Sequence, residues 1–219
     1  MTVELMRLTC LKGTGTKNVR HDGVERHSIV HLHPGLSIEP IVSEWIAAGR
    51  PLIARRRLCS DGTGLVPLGL PLPPSQGKRR LSVAVPPEGI KSVGPPPLLA
   101  DARIAAPVAW GPVITALVAL DPGTRCFGGI AWAFLTGLPY LSATSDLDLL
   151  WHASGAGDVA RLLPALAAID ADAPMRLDGE IVMPDGLAIQ WREWASDAAE
   201  LLAKAAGGNR LVAREQLFA

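Results

Sequence analysis

The spacing of hydrophobic and polar positions changes near the middle of the chain. Before residue 95, short apolar runs are separated by glycine, proline and arginine, which is typical of a small β-rich domain. The predicted elements are a helix over Ile41–Ala48 that ends at Gly49, a strand at Leu52–Ala54, an irregular or edge strand at Leu65–Leu72 and an alternating strand at Leu81–Val85. Three consecutive prolines, Pro95 to Pro97, then predict a linker, so we place this domain at residues 25–94.

Beyond the prolines, helical and strand patterns alternate, which predicts an α/β domain over residues 98–219. Asp158 is expected to cap the helix that follows it, and Pro164 to kink or shorten that helix. The predicted elements are helices at Val113–Leu120, Ile130–Thr136, Val159–Ile169 and Ser196–Ala206, strands at Arg125–Phe127 and Ser145–Trp151, and a hairpin of Met175–Met183 and Leu187–Trp194 around Pro184-Asp185-Gly186.

The remaining N-terminal residues, 1–24, are expected to form a polar tail, because they lack the apolar stretch of a secretory signal. No apolar run reaches the ~18 residues that a membrane span needs, so no membrane association is expected. Cys10, Cys59 and Cys126 lie far apart and outside any metal-ligand spacing, which favours a reduced, cytoplasmic location.

Charge is divided unevenly, although the chain as a whole is neutral. Residues 1–100 carry thirteen Lys and Arg against seven Asp and Glu, and residues 101–219 carry eight against fourteen. A basic half suits a polyanionic ligand or an acidic partner, and an acidic half suits metal ions. Neutral overall charge, with few aromatic residues among the basic runs, argues against nucleic-acid binding.

Chemistry is predicted most clearly in the segment Phe127–Trp151. In a strand over Ser145–Trp151, Asp146 and Asp148 share one face while Leu147, Leu149 and Trp151 face the core. Two carboxylates on one face repel each other unless a cation lies between them, and Mg²⁺ favours one or two carboxylates together with substrate phosphates. The alternative is a pair of solvated aspartates near a strand end.

Upstream of these aspartates, Gly128-Gly129 lies between a short strand and a helix. Glycines at such a turn let the backbone approach a phosphate, although turns use glycine for many reasons. A third carboxylate is expected from the hairpin, where Asp178 and Glu180 share a face, and we favour Asp178. Their alternative is an ordinary hairpin surface with Arg176 and Arg192 as charge partners. His27, His31 and His33 are interpreted as surface or loop histidines.

A glycine pair that opens a helix, an Asp-x-Asp strand and a later carboxylate strand together resemble the polymerase-β-type nucleotidyltransferases. Leu135–Leu141 (LTGLPYL) followed by Ser145–Leu150 (SDLDLL) is similar to a narrower family, the holo-acyl-carrier-protein synthases of malonate decarboxylase, also called phosphoribosyl-dephospho-CoA transferases. Short basic strings of the N-terminal half, among them Lys78-Arg79-Arg80, are similar as well. One departure is Gly129, which stands where the superfamily usually has a serine.

The resemblance implies a polymerase-β-like catalytic domain in which Asp146 and Asp148 are essential, with Asp178 as the third metal ligand. It implies transfer from 2′-(5″-triphosphoribosyl)-3′-dephospho-CoA to a serine of the malonate decarboxylase acyl-carrier protein, with release of diphosphate and with Mg²⁺ or Mn²⁺ as cofactor. Gly128, Gly129, Lys78, Arg79 and Arg80 are the expected phosphate-binding residues, with Arg55 and Arg56 as further candidates for phosphate or for the acidic carrier. The alternatives are another metal-dependent nucleotidyltransferase with a nucleoside triphosphate donor, or a non-catalytic module that binds the carrier.

Overall fold

The structure is a computed structural model that describes residues 24–36, 38–58, 60–205 and 208–218. The predicted polar tail, except Val24, lies outside the described residues, as do Cys10 and Cys59. Mixed helices and sheets confirm the predicted α/β class. None of the helices within the described ranges combines the length and the apolar character that crossing a membrane requires.

A five-stranded antiparallel sheet forms the N-terminal half, in the order β4-β3-β2-β1-β5. Its strands are β1 (Ile29–Leu32), β2 (Leu52–Ala54), β3 (Val66–Pro71), β4 (Arg80–Val85) and β5 (Ile90–Gly94). Helix α1 (Pro40–Ala47) buries Val42, Trp45 and Ile46 against it. Short 3₁₀ turns occupy Pro74–Gln76 and Pro87–Gly89.

Strand β3 is an inner strand, so its assignment as an irregular or edge strand was wrong. It pairs with β4 over six residues but with β2 only at Leu68 and Gly69. The carbonyl of Pro67 accepts from the N–H of Arg55, so the ring nitrogen of Pro67 faces the β2 side. Because β2 is so short, the donor that proline lacks is not needed there.

The C-terminal half contains a six-stranded sheet in the order β11-β10-β9-β8-β7-β6. Strands β7 and β8 are parallel, and the other neighbours are antiparallel. The strands are β6 (Arg125–Cys126), β7 (Leu147–His152), β8 (Leu177–Val182), β9 (Ala188–Gln190), β10 (Glu200–Ala205) and β11 (Gly208–Ala213). The helices are α2 (Leu99–Ala102), α3 (Gly111–Leu120), α4 (Gly128–Thr136), α5 (Ala156–Ala171) and α6 (Trp191–Trp194), with 3₁₀ turns at Arg103–Ala105, Val108–Trp110 and Arg214–Gln216.

The predicted helix over Ser196–Ala206 was wrong, because Glu200–Ala205 forms strand β10. Alanine, leucine and lysine favour a helix locally, but Leu201 and Ala203 alternate with more exposed neighbours and are buried between β9 and β11. The second hairpin strand is also shorter than predicted, since β9 ends at Gln190 and α6 follows at once.

Helix α5 runs through Pro164 to Ala171, so the proline does not shorten it. Its N-cap residue is Gly155, and Asp158 lies in the first turn, where its carboxylate accepts from the N–H of Ser154. This corrects the predicted start of the helix by a few residues. The position of Asp158 still suits the positive end of the helix dipole.

The two faces of the C-terminal sheet differ in chemistry. One face, with Leu147, Leu149, Trp151, Leu177 and Ile181, is fully buried in the main core with α3 and α5. The strand register places Asp148, Asp178, Glu180, Gln190 and Lys204 on the opposite, polar face. The N-terminal half contacts this polar face through side-chain bonds from Arg26 to Glu180 and from Arg56 to Asn209.

Candidate functional site

The two central carboxylates lie side by side on the parallel pair of strands. Asp148 in β7 and Asp178 in β8 are register partners, so only the interstrand spacing of about 4.8 Å separates their backbones. Asp146 immediately precedes β7, one pleat before Asp148. Asp148 and Asp146 are both half-buried, whereas the leucines beside them are fully buried. The structure therefore brings the three predicted carboxylates to one edge of the polar face.

Electrostatics at this edge disfavour a bare carboxylate. Burial, followed by the negative charges of Asp178 and Asp146, raises the pKa of Asp148 to about 7. Arg80 and the backbone N–H of Gly129 act in the opposite direction. A carboxyl with this pKa is protonated about half of the time at neutral pH, and a neighbouring cation would favour its charged form.

Asp178 is held by hydrogen bonds that orient its carboxylate. Its Oδ1 accepts from the N–H of Gly179 at 2.8 Å and from Nε2 of Gln190 at 3.1 Å. The amide oxygen of Gln190 accepts in turn from the N–H groups of Arg192 and Glu193, which makes Gln190 the N-cap of α6. The cap thus fixes the amide so that its donor points at Asp178.

The glycine pair lies in the first turn of α4, directly against Asp148. Gly128 has a φ of +60°, and a Cβ there would lie 1.8 Å from Oδ2 of Asp148. At Gly129 a Cβ would lie 2.9 Å from Cδ2 of Leu141. The N–H of Phe127 also donates to the Asp148 carbonyl at 3.0 Å. Glycine is therefore required at position 128 by contact with the site's own carboxylate.

The basic residues of the N-terminal half differ in whether they lie near the carboxylates or bind within their own sheet. Arg80 begins β4 and lies near enough to Asp148 to lower its pKa, and Lys78 and Arg79 are exposed beside it on the same hairpin. Arg55 is instead bonded to both oxygens of Asp61 and to the carbonyl of Leu68. Arg55 is therefore engaged within its own domain, and Arg80 is the basic residue whose charge lowers the pKa of Asp148.

Glu180, the alternative third carboxylate, is enclosed by cations. Arg26 donates through Nη1 and Nη2 to its two oxygens, and Nζ of Lys204 donates to Oε1 at 2.7 Å. Burial alone would raise the pKa of Glu180, but the nearby His27 and the hydrogen bonds from Arg26 and Lys204 hold it well below its usual range. The alternative of an ordinary hairpin surface with Arg176 and Arg192 as charge partners does not hold for Glu180, and Arg192 pairs with Asp170.

His27 lies in the turn before β1, as predicted for a loop histidine, but it is buried and not on the surface. Its ring lies 4.4 Å from the ring of Phe127, and its Nε2 is 3.7 Å from Glu180. Burial lowers the pKa of His27 more than Glu180 raises it. The histidine is therefore part of the contact between the two halves.

Several residues of this site carry no signal in the sequence. Arg26, Gln190 and Lys204 belong to no motif, and they come from three separate parts of the chain. Tyr140 belongs to the LTGLPYL string, but its hydroxyl donates to the carbonyl of Pro71 in the N-terminal half. The alternation of Gln190 and Lys204 with buried neighbours on their strands would be the sole available clue.

As the side chains stand, the described residues contain no group of three or more His, Cys, Asp and Glu side chains close enough to hold a metal ion. The chemistry of the carboxylate edge nevertheless suits a divalent cation, because it offers oxygen donors and raises the pKa of Asp148. Two carboxylates with phosphate oxygens as further ligands are a common arrangement for Mg²⁺.

Comparison with known proteins decides the family. The family model of the phosphoribosyl-dephospho-CoA transferase MdcG C-terminal domain matches residues 98–215. The family model of the MdcG N-terminal domain matches residues 25–96. The chain belongs to the phosphoribosyl-dephospho-CoA transferase MdcG family. This membership confirms the resemblance noted in the sequence and makes the protein an enzyme of the transferase class.

Individual relatives agree with the family assignment. A phosphoribosyl-dephospho-CoA transferase of Bradyrhizobium diazoefficiens is 38% identical over 208 residues, which covers 88% of this chain and 92% of the relative. That of Xanthomonas campestris pv. campestris is 36% identical over 206 residues, with 88% and 96% covered. That of Pseudomonas putida (strain W619) is 32% identical over 188 residues, with 78% and 82% covered. No solved structure gave a significant match.

Proposed function

We propose that this MdcG-family protein transfers the phosphoribosyl-dephospho-CoA group from 2′-(5″-triphosphoribosyl)-3′-dephospho-CoA to a serine of the malonate decarboxylase acyl-carrier protein. The observation that carries the proposal is the pair Asp148 and Asp178, adjacent in register, with Asp146 beside them and Arg80 near enough to lower the pKa of Asp148. Carboxylates opposite a cation at an open sheet face suit a ligand whose phosphates bind metal at one end and arginine at the other.

Asp146, Asp148 and Asp178 would hold the metal in this proposal. Bound Mg²⁺ or Mn²⁺ would supply Lewis-acid chemistry, offsetting negative charge on the attacking and leaving oxygens. Gln190 would keep the Asp178 carboxylate in one orientation. Arg80 would hold phosphate of the donor, with the exposed Lys78 and Arg79 beside it.

The proton of the carrier serine needs an acceptor near the reacting phosphorus. Asp178 would either complete the metal site or accept this proton, and the hydrogen bonds from Gly179 and Gln190 to its Oδ1 fix the orientation of its carboxylate. The serine oxygen then bonds to the phosphorus next to the ribose, and the bond to diphosphate breaks. Gly128 and Gly129 would present the backbone of the first turn of α4 to the departing phosphates.

Replacement of either motif aspartate tests this function. Asp146→Asn and Asp148→Asn are each expected to lower transfer by at least about 1,000-fold, as removal of a principal electrostatic group does. The fold should survive, and Asp148→Asn should be at least as stable as the wild type because it removes a repelled charge. The measurement is the mass gained by the apo carrier with donor and Mg²⁺, together with circular dichroism and thermal unfolding.

Asp172→Asn is the matched control, because Asp172 is exposed after α5 and lies outside the site. Near-normal transfer by Asp146→Asn or Asp148→Asn would contradict the site assignment. Efficient transfer from ATP or CTP in place of the dephospho-CoA donor would favour another nucleotidyltransferase. Carrier binding without any mass gain from a competent donor would favour a non-catalytic module.

A further inference from the structure

A second charged cluster lies on the polar face of the C-terminal sheet, next to the carboxylate edge. At its centre, the side chain of Glu180 is only 4% exposed. Arg26 occupies both carboxylate oxygens, at 2.9 Å for Nη2 to Oε1, and Lys204 adds a 2.7 Å bond to Oε1. The two cations come from opposite parts of the chain, from the segment before β1 and from strand β10.

The cluster has more positive charge than its structure requires. A single cation would compensate Glu180, yet the carboxylate has two, so one positive charge is left over. The side chains of Arg26 and Lys204 remain 30% and 33% exposed, so part of each cation faces solvent. Arg56 adds a third cation, because its Nη1 donates to Asn209, which is the register partner of Lys204 on β11.

The position of the cluster relates it to the proposed reaction site. Glu180 and Asp178 share a face of β8 and are two residues apart, about 6.6 Å along the strand. Lys204 reaches Glu180 across β9, where its register partner Ala188 carries only a methyl group. The polar face thus has an acidic end at Asp148 and a basic end at Lys204.

We propose that Arg26 and Lys204, oriented by Glu180, form a second anion subsite that binds the diphosphate of the dephospho-CoA part of the donor. This inference rests on the proposed function. The donor carries two anionic groups on one adenosine, the triphosphoribosyl chain and the dephospho-CoA diphosphate. The acidic end with its metal suits the first group, and a fixed pair of cations suits the second.

Glu180 has a definite task in this arrangement. Arginine and lysine side chains lose conformational freedom when they bind a ligand, and this loss weakens binding. A buried carboxylate that already holds both side chains removes much of that cost before the ligand arrives. Glu180 is therefore a positioning residue rather than a catalytic one.

Binding of dephospho-CoA in EDTA, measured by isothermal titration calorimetry at low salt, tests the subsite without metal and without transfer. Lys204→Met and Arg26→Met should each raise the Kd for dephospho-CoA at least tenfold. Lys91→Met, on an exposed lysine of β5 in the other sheet, should leave it unchanged. An unchanged Kd in both subsite variants, or no binding by the wild type, would overturn the inference.

Glu180→Gln separates an oriented subsite from a patch of loose positive charge. This variant keeps both cations and increases the net positive charge, so a loose patch would bind dephospho-CoA more tightly. An oriented subsite would bind it more weakly, because Arg26 and Lys204 lose their common partner. Tighter binding would overturn the positioning role of Glu180.

Transfer kinetics distinguish this inference from the proposed function. With a functional subsite, Lys204→Met should raise the donor KM while kcat changes little, whereas general loosening of the fold would lower kcat and the thermal midpoint together. An unchanged donor KM would remove the subsite and leave the proposed function intact. Lys204-dependent binding of dephospho-CoA by a protein that modifies no carrier would leave the subsite and remove the proposed function.

Discussion

A single carboxylate, that of Asp148, is the point on which most of the site depends. The backbone carbonyl of Asp148 accepts a hydrogen bond from the N–H of Phe127. The Asp148 side chain lies against Gly128, and the register partner of Asp148 is Asp178. Because burial and two like charges raise its pKa to about 7, the residue is strained electrostatically in the absence of a cation. Such strain is typical of a residue whose position serves chemistry more than stability.

Gly128→Ala should displace the Asp148 carboxylate. The added Cβ would lie 1.8 Å from Oδ2 of Asp148, so the carboxylate must move. A displacement of about 1 Å in a catalytic group can cost about 100-fold in rate, and we expect at least this loss of transfer. The measurement is the initial rate of carrier modification, together with the free energy of unfolding.

Gly137→Ala provides a matched control for the backbone. Gly137 has a φ of +68°, close to the +60° of Gly128, but a Cβ there meets nothing within 4 Å. Both variants should lose about 1–2 kcal/mol of stability from the left-handed backbone. Only Gly128→Ala should lose activity, and equal losses of activity in the two variants would contradict the proposed contact.

At the scale of elements, the hydrophobic pattern correctly predicted a strand whose formation depends mainly on its own residues, and it failed for strands that depend on their neighbours in the sheet. The alternation of Leu147, Asp148 and Leu149 predicted strand β7 and the face that carries the carboxylates. Strand β10 escaped prediction because its Ala, Leu and Lys residues favour a helix, and its pairing with β9 and β11 overrides that preference. The sequence likewise did not predict the inner position of β3, because that position depends on how short β2 is.

Asp61 stabilises the loop between β2 and β3 and should make its stability pH-dependent. Its carboxylate binds the guanidinium of Arg55 and the N–H of Leu58, and the bond to Arg55 is the main reason that its pKa falls from 3.8 to about 2. A lowered pKa means that the stabilisation is complete above about pH 5 and disappears as the pH falls through 4 toward 2. Asp61→Asn should therefore cost about 1.5 kcal/mol at pH 7.

Urea unfolding of wild type and Asp61→Asn at pH 7, 4 and 2.5 measures this difference. The gap between the two free energies of unfolding should be largest at pH 7 and smallest at pH 2.5. Asp172→Asn, at an exposed aspartate after α5, should show no such gap. A gap between wild type and Asp61→Asn that is constant from pH 7 to pH 2.5 would contradict the ion pair.

At the scale of the whole molecule, the site exists because the two halves meet on the polar face of one sheet. The sequence predicted the carboxylates and the basic hairpin separately, yet nothing in it indicated that Arg26 meets Glu180 or that Tyr140 meets Pro71. These two contacts join residues far apart in the chain, and they form when the N-terminal half packs against the C-terminal half. A single sequence therefore predicts the parts of such a site better than their assembly.

Tyr140 forms a hydrogen bond between the two halves of the chain, next to Arg80. Its hydroxyl donates to the Pro71 carbonyl at 2.8 Å, and Pro71 is the register partner of Arg80 on β4. Its ring also packs against Trp132 of α4. We therefore expect the hydroxyl to fix the end of the hairpin in the position from which the charge of Arg80 acts on Asp148.

Tyr140→Phe should cost about 1 kcal/mol of stability, the usual size of one hydrogen bond, and should raise the donor KM. In an Arg80→Met background the same change should have no further effect on KM, because the hydroxyl acts through Arg80. Thr115→Val, which removes the exposed Thr115 hydroxyl that donates to the Gly111 carbonyl within α3, should leave KM unchanged in both backgrounds. Additive effects of Tyr140→Phe and Arg80→Met on KM would show that Tyr140 serves packing alone, and that the hairpin is positioned by other contacts between the halves.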